Sequence, residues 1–307
     1  MGAIIVANSV VGRLYVVATP IGNLGDFSPR AVETLRACSL IAAEDTRHTG
    51  ALLRHFGIPT PLVSLHEHNE RQRSPELIAR MRSGESIALV SDAGTPAISD
   101  PGYELVGAAA ASGIEILAIP GPCAALAAIS IAALPTDRFC FEGFLPARGA
   151  ARRKRLQALE SEVRTLVFYE SPHRVRETLE DCRDCFGGAR RGAVARELTK
   201  IHESLYRGSL TELCARAQTD ADFVRGEIVI VIEGAALAQA EPGGAELDRV
   251  LSLLLDELPL KQAAGLAARI LGVRDNEAYK RALQLKQPSD APDAPDAPGA
   301  PGTPDAP

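Results

Sequence analysis

What the sequence lacks narrows it first. No apolar run approaches the length that spans a bilayer, so no membrane-crossing segment is expected. Met1 to Val11 is mildly apolar but has neither the basic flank nor the small-residue cleavage site of a secretory leader. Val6 stands where the myristoylation pattern needs Ser or Thr, so residues 1–12 are read as a flexible extension. Cysteine is sparse: of Cys38, Cys123, Cys140, Cys182, Cys185 and Cys214, only Cys182 and Cys185 have a redox or zinc spacing. No second pair completes a zinc site, and the two fall in a helical pattern with Val175, Leu179 and Phe186, which reads as buried thiols. Free cysteines suit a reducing, cytoplasmic setting. Also missing are a Walker lysine and the Gly-x-Gly-x-x-Gly fingerprint, because Asn23 stands where a second glycine would let a pyrophosphate approach. These absences count against a nucleotide-binding enzyme.

What is present describes a soluble globular chain. At 307 residues it is long enough for two domains, and 46% apolar with 23% charged residues is ordinary for packed cores. The net charge of −6 argues superficially against nucleic acid, but Asp290, Asp293, Asp296 and Asp305 supply four of those charges. They lie in residues 287–307, repeats of Asp-Ala-Pro that can bury nothing and read as a disordered tail. Removing those four leaves a body of about −2, which can still carry local basic faces. Candidates are Arg148 to Arg155, the pair Arg190 and Arg191, and Arg71 with Arg73, though such runs also serve as solvated surface.

The most informative stretch runs from Leu89 to Gly102. An apolar strand, Ile87 to Val90, breaks into Ser-Asp-Ala-Gly-Thr-Pro, then Ser-Asp-Pro-Gly. Alone this also fits an ordinary strand-to-helix loop. The pattern recurs, however. A strand over Arg13 to Ala18 ends in Thr19 to Asp26 and is followed by Ser28-Pro29, an N-cap with proline at the first helical position. Leu40 to Ala43 ends in Glu44 to Thr49, Leu62 to Leu65 ends in His66 to Arg71, and Glu115 to Ile119 ends in Pro120 to Ala124. Strands alternating with helices predict a parallel sheet, in which ligands sit beyond the strands' carboxyl ends. Asp45, Arg47, His48, His66, His68 and Asn69 are thereby placed around one rim. His66 and His68 form a possible metal pair without a third ligand, so substrate contacts or solvent-facing histidines are the readings retained.

A second α/β region over residues 135–240 follows the first, over residues 13–134. Its strands are Phe139 to Phe141, Arg164 to Phe168, Arg191 to Arg196 and Glu227 to Ile232, with helices around Leu156 and over Val175 to Cys185. Two of these strands end in Tyr169-Glu-Ser-Pro-His-Arg174 and Glu197-Leu-Thr-Lys200, a second wall for the cleft. Residues 241–286 turn helical over Leu247 to Leu255, Gln262 to Leu271 and Asn276 to Leu285. The gap from Gly272 to Asp275 resembles a helix-turn-helix connection, which reads either as a packing appendage or as a grip on RNA.

The segments Tyr15 to Asp26, Ala42 to Thr49, Val90 to Pro96, Asp100 to Gly102 and Ile119 to Ala124 resemble the signature segments of the tetrapyrrole methylase superfamily. Within it, they resemble the branch that methylates small-subunit ribosomal RNA on a ribose 2′-hydroxyl. The likeness continues through Asp137 to Pro146, Phe168 to Arg174 and Ala195 to Lys200, and ends near Leu285. It implies two α/β domains holding S-adenosylmethionine in a cleft between them, usually as a homodimer, and a cytidine of the decoding centre of 16S RNA, met in the assembled 30S subunit, as target. The cofactor would lie against Pro20, Ile21, Gly22, Asn23 and Leu24, against Ser91, Asp92, Ala93, Gly94 and Thr95, and against Pro122. Phe168, Tyr169, Glu197, Leu198 and Thr199 would close over it. The turn chemistry agrees, since a sulfonium is cationic and adenosine uncharged, which suits carbonyl-rich loops with Asp92 and no phosphate-binding lysine.

Methyl transfer to a ribose hydroxyl is an in-line displacement that also needs the hydroxyl proton removed. By type and position Glu170, Lys200, Asp45 and His173 are the candidate acid–base groups. Arg47, His48, His66, His68, Asn69, His173 and Arg174 are the candidate substrate contacts, with Arg148 to Arg155 as an outer electrostatic track. Relatives that methylate porphyrinoid rings or a modified histidine offer the same chemistry on another substrate, but the charged strand ends fit a broad apolar trough poorly. A non-catalytic RNA-binding assembly factor would have no use for intact loops at Thr19 to Asp26 and Ser91 to Gly102.

Overall fold

A computed structural model of the chain describes residues 11–236 and 244–286. Most of the N-terminal extension and all of the Asp-Ala-Pro tail lie outside these. Contacts divide the chain into two units, residues 1–235 and 236–307.

The first unit contains two five-stranded sheets. Its first half runs β1 (Leu14–Val17), α1 (Pro29–Ala37), β2 (Leu40–Ala43), α2 (Thr46–His55), β3 (Leu62–Ser64), α3 (Glu70–Arg82), β4 (Ile87–Val90), α4 (Tyr103–Ala111), β5 (Ile116–Ile119) and α5 (Ala124–Ile131). All five strands are parallel, in the order β3-β2-β4-β1-β5. Both faces of this sheet are covered. Ile41 and Ala43 pack with Leu35 and Leu53, while Leu40 and Ala42 pack with Leu77 and Met81. That explains why β2 and β4 read as unbroken apolar runs. Ser28 caps α1 by accepting from the Ala31 amide at 3.1 Å, as its sequence predicts. The polar cluster after β2 differs from expectation: it is not a loop, but the first turn of α2 with Asp45 as its cap.

The second half runs β6 (Phe139–Phe144), α6 (Gly149–Ala158), β7 (Thr165–Glu170), α7 (Val175–Phe186), β8 (Arg191–Arg196), β9 (Ser204–Ser209), α8 (Leu210–Thr219) and β10 (Ile228–Ile232). Its sheet has the order β6-β7-β10-β8-β9 and is mixed, with only β6 and β7 parallel. β9 and α8 are additions to the sequence reading. β9 is only partly buried along its length and carries Arg207 and Gly208, so it shows little apolar alternation.

The two sheets are joined by α5. Although it follows β5 of the first sheet, its Ala125, Ala128 and Ile129 pack with Val167, Ala193, Ala195, Val229 and Val231 of the second. A helix of almost only apolar residues is explained by this burial. Removing the Ile129 side chain is expected to cost about 2–5 kcal/mol. Ile129→Ala should therefore lower the urea midpoint clearly, and an unchanged midpoint would refute this account of the joint.

In the second unit α9 (Gly244–Glu257), α10 (Leu260–Leu271) and α11 (Asp275–Lys286) pack around Leu247, Leu251, Ala264, Ala268, Ala278 and Ala282. Gly272 caps α10 in the left-handed region at φ 68°, and Arg281 pairs with Asp248 across the bundle.

Candidate active site

The carboxyl ends of β1, β4 and β5 face the carboxyl ends of β7 and β8. Because β10 is antiparallel to both of these, its start lies beside them, with Ile228 opposite both Glu170 and Arg196. A cavity of about 390 Å³ opens here, lined from the first sheet by Ile21, Ala93, Gly94, Thr95, Asp100 and Ala124. From the second sheet come Tyr169, Leu198 and the start of β10, including Glu227. Its size is that of a small-molecule site.

Backbone geometry holds the walls. The Thr19 amide donates to the Gly94 carbonyl at 2.9 Å and the Gly94 amide to the Thr19 carbonyl at 3.1 Å, strapping two loops together. Gly94 sits at φ 88°, where a side chain would be strained and would crowd Ile21. Thr95 Oγ1 donates to the Pro122 carbonyl at 3.1 Å, and Ser91 Oγ donates to the Gly94 carbonyl at 3.2 Å. Ser91 and Pro122 thus act from behind the loop.

A second contact crosses from one sheet to the other. The Asn23 amide donates to Thr199 Oγ1 at 3.1 Å, and a Cβ on Gly22 would lie 2.4 Å from Lys200 Cγ and 3.1 Å from the Leu198 carbonyl oxygen. Glu197 and Thr199 take left-handed φ values of 52° and 67°, a strained turn. The Glu197 carboxylate holds it, accepting from Lys200 Nζ and from the Glu227 amide, each at 2.9 Å. Beyond this contact lies a second cavity, of about 460 Å³, lined by Pro20, Leu24, His48, His55, Asp92 and Lys200 among others. Asn23, Glu197 and Thr199 belong to this contact and line neither cavity.

Several predicted site residues stand elsewhere. Phe168 is fully buried on the opposite face of β7, among Leu156, Leu179 and Ile230, because strand alternation turns only Val167 and Tyr169 toward the cleft. Its assignment as a cofactor contact is corrected. His66, His68 and Asn69 line neither cavity: they follow β3, the edge strand farthest from β5, where the second sheet attaches. Asn69 instead closes a turn, its Oδ1 accepting from the His66 amide and its Nδ2 donating to the Ser64 carbonyl. Arg47 is exposed and forks onto Asp45, and His173 is exposed outside both cavities. Among the described residues no cluster of three or more His, Cys, Asp or Glu has metal-binding geometry.

The acid–base candidates are equally constrained. Glu170 is buried, and both carboxylate oxygens are occupied, one by the Ser171 amide at 2.7 Å, the other by Thr178 Oγ1 at 2.7 Å and Arg174 at 2.9 Å. Arg174 also donates to the Leu145 carbonyl, so both residues are structural ties at the cavity wall. Burial pulls the Lys200 ammonium down, but its bonds to Glu197 and Glu227 outweigh that and raise it, so it stays cationic. Bonds from the Arg47 side chain and amide hold Asp45 well below the usual carboxylate range, making it a poor base. The basic track on α6 is also mostly spent: Arg152 is buried on Asp181, Arg153 shares that carboxylate, and Arg155 pairs with Glu142.

Asp100, Ala124, Phe144 and Gly226 to Val229 line the first cavity without having been singled out as site residues. Asp100, Ala124 and Phe144 stand within segments that carry the family resemblance, which is their signal in the sequence. Burial pushes its carboxyl up to about 6, with the Asp92 charge adding to the rise and a bond from Ser91 opposing it. A carboxyl raised in the folded state stabilises the fold fully below about pH 4 and loses that contribution as pH rises through about 6. Asp100→Asn should therefore gain stability relative to the parent between pH 4 and 7 in chemical denaturation. A difference that does not change with pH would overturn this.

Residues 13–214 match the family model for tetrapyrrole (corrin/porphyrin) methylases, and residues 241–286 match the RsmI C-terminal HTH domain. The chain is 56% identical over 274 residues to ribosomal RNA small subunit methyltransferase I of Pseudomonas aeruginosa, covering 89% of this chain and 97% of that one. It is 52% identical over 278 residues to the protein of that name from Escherichia coli O157:H7, covering 91% and 97%. Among solved structures, the methyltransferase CobJ superposes with a TM-score of 0.55 at 21% identity, covering 73% of this chain and 95% of that one. Uroporphyrin-III C-methyltransferase from Thermus thermophilus, solved with S-adenosylhomocysteine, gives 0.51 at 17%, covering 72% and 97%. These structural likenesses show the fold.

Proposed function

Because the chain belongs to the tetrapyrrole methylase family and, within it, to that of ribosomal RNA small subunit methyltransferase I, we propose that it methylates small-subunit ribosomal RNA from S-adenosylmethionine, at the 2′-hydroxyl of a decoding-centre cytidine. The observation that carries the choice of donor is the lining of the first cavity. It contains Asp100 and Glu227 and, among the described residues, no Lys, Arg or His. Such a wall attracts a cation and repels a phosphate. Bound S-adenosylmethionine supplies an electrophilic methyl carbon on a cationic sulfur. Ile21, Gly94, Ala124, Tyr169 and Leu198 would enclose the uncharged part of that molecule, and Asp100 would face its charge or its hydroxyls.

The second cavity suits the RNA backbone flanking the target nucleotide. It carries His48, His55 and Lys200, and it shares Ile21, Ala93 and Glu227 with the lining of the first. Glu170, Lys200 and Asp45 are each committed to other partners, and His173 lies outside, so the hydroxyl proton passes to solvent water as the oxygen–methyl bond forms and the methyl–sulfur bond breaks, and the acceleration rests mainly on alignment of nucleophile and methyl carbon, worth on the order of several kcal/mol. Lys200 contributes a fixed positive charge near the acceptor side. We place the reaction in the cytoplasm, on assembled 30S subunits, with the enzyme as a homodimer.

The test is methyl incorporation from labelled S-adenosylmethionine into small subunits lacking the modification, followed by nucleoside digestion. The label is expected on the 2′-oxygen of a cytidine. Asp92, which lines the second cavity and accepts from the Asp45 amide at 3.0 Å, ties β4 to the start of α2. Asp92→Ala should lower the rate by on the order of tenfold or more, the scale of losing a charged hydrogen bond. Label on a nucleobase, or on no RNA at all, would sink the assignment.

A further inference from the structure

Phe144, the last residue of β6, is 58% exposed yet lines the first cavity. A single exposed aromatic needs no explanation by itself. What sets this one apart is the backbone that aims it. Phe141 and Phe144 are three residues apart, so in a regular strand their side chains would point to opposite faces of the sheet. Here Phe141 pairs with Val167, Gly143 with Phe168 and Phe144 with Tyr169, leaving Glu142 as an extra residue in a bulge. The bulge shifts the alternation by one, and both phenylalanines come to the face that carries Tyr169.

Gly143 makes the bulge possible. Its φ is 64°, and a Cβ there would lie 3.1 Å from Ser99 Oγ in the loop after β4. The resulting aromatic group is ordered. The Tyr169 ring stands 4.9 Å from that of Phe141 at 69° and 5.6 Å from that of Phe144 at 64°, both edge-on. Tyr169 is itself fixed by the Ala125 amide, which donates to its hydroxyl at 3.2 Å. Phe141 and Tyr169 are half-buried and pack with the core, whereas Phe144 offers its ring at the mouth of the cleft.

We propose that Phe144 is the stacking platform for the target nucleobase of the RNA. This inference rests on the rRNA-methylating reading above. Reaching a ribose hydroxyl inside a cleft requires the nucleotide to be splayed from its neighbours, and an unstacked base recovers part of that cost on an aromatic face. Phe144 has no polar group, so it holds the base without reading its edge, and places the attached ribose against the cavity where the methyl donor is enclosed. Its exposure in the free protein follows: the ring is covered only when substrate is bound.

The test compares Phe144→Ala, Phe144→Leu and Phe144→Trp with the parent, using calorimetry for S-adenosylmethionine and steady-state methylation of unmodified small subunits. For Phe144→Ala the expected result is an S-adenosylmethionine affinity within about twofold of the parent and a KM for subunits raised by about tenfold, the scale of one lost base–aromatic stack. Phe144→Leu, which keeps apolar bulk without a π face, should behave like Phe144→Ala, and Phe144→Trp should restore the parental KM. Weakened S-adenosylmethionine binding in Phe144→Ala would instead assign the ring to the donor, and an unchanged KM would remove its role; either overturns the proposal. If the parent protein labels no subunits at all, the functional reading itself fails, an outcome distinct from both.

Discussion

The cleft depends on one crossing contact, that of the Gly22–Asn23 turn with Leu198, Thr199 and Lys200. It brings a loop of the parallel sheet against a strained turn of the mixed sheet, and the Asn23 amide closes it onto Thr199. Only glycine lets the two backbones approach this closely. The strain at Glu197 and Thr199 is offset locally, by a carboxylate that binds an ammonium and an amide at once. The two cavities lie against this contact and share Ile21, Ala93 and Glu227 in their linings.

The same arrangement decides which charges are available. Two carboxyl groups, Asp100 and Glu227, stand in the first wall, Glu227 also pairing with Lys200 at 3.2 Å, while Glu170 on the same wall is neutralised by Arg174 and tied to Thr178. Lys200 keeps its positive charge because it is shared by Glu197 and Glu227. Both signs meet in the second cavity, where Lys200 stands with Asp92 and Glu227, while the first holds carboxyl groups and, among the described residues, no cation.

Much of this was legible along the chain. The apolar runs at Leu40–Ala43 and Ile87–Val90 carry their own signal, because a strand buried on both faces admits no polar residue. Ser28-Pro29 and the loops Thr19–Asp26 and Ser91–Thr95 are local devices, and local chemistry can be read from neighbours in sequence. β9 carried little such signal, since an edge strand with Arg207 and Gly208 need not alternate. α8 had one, the Ser209–Glu212 capping box that starts it, although the strand before it was not visible to frame it.

The sequence by itself determined the parallel sheet and its glycine-rich strand ends, because each follows from residues within a few positions of one another. Strand order decided the rest. It placed β3 at the far edge and so removed His66, His68 and Asn69 from the cleft, and it set the start of β10 between β7 and β8, bringing in Gly226 to Val229. Alternation turned Phe168 into the core, and one bulge turned Phe144 out of it. Such choices rest on contacts between residues far apart in the chain, and no local pattern encodes them.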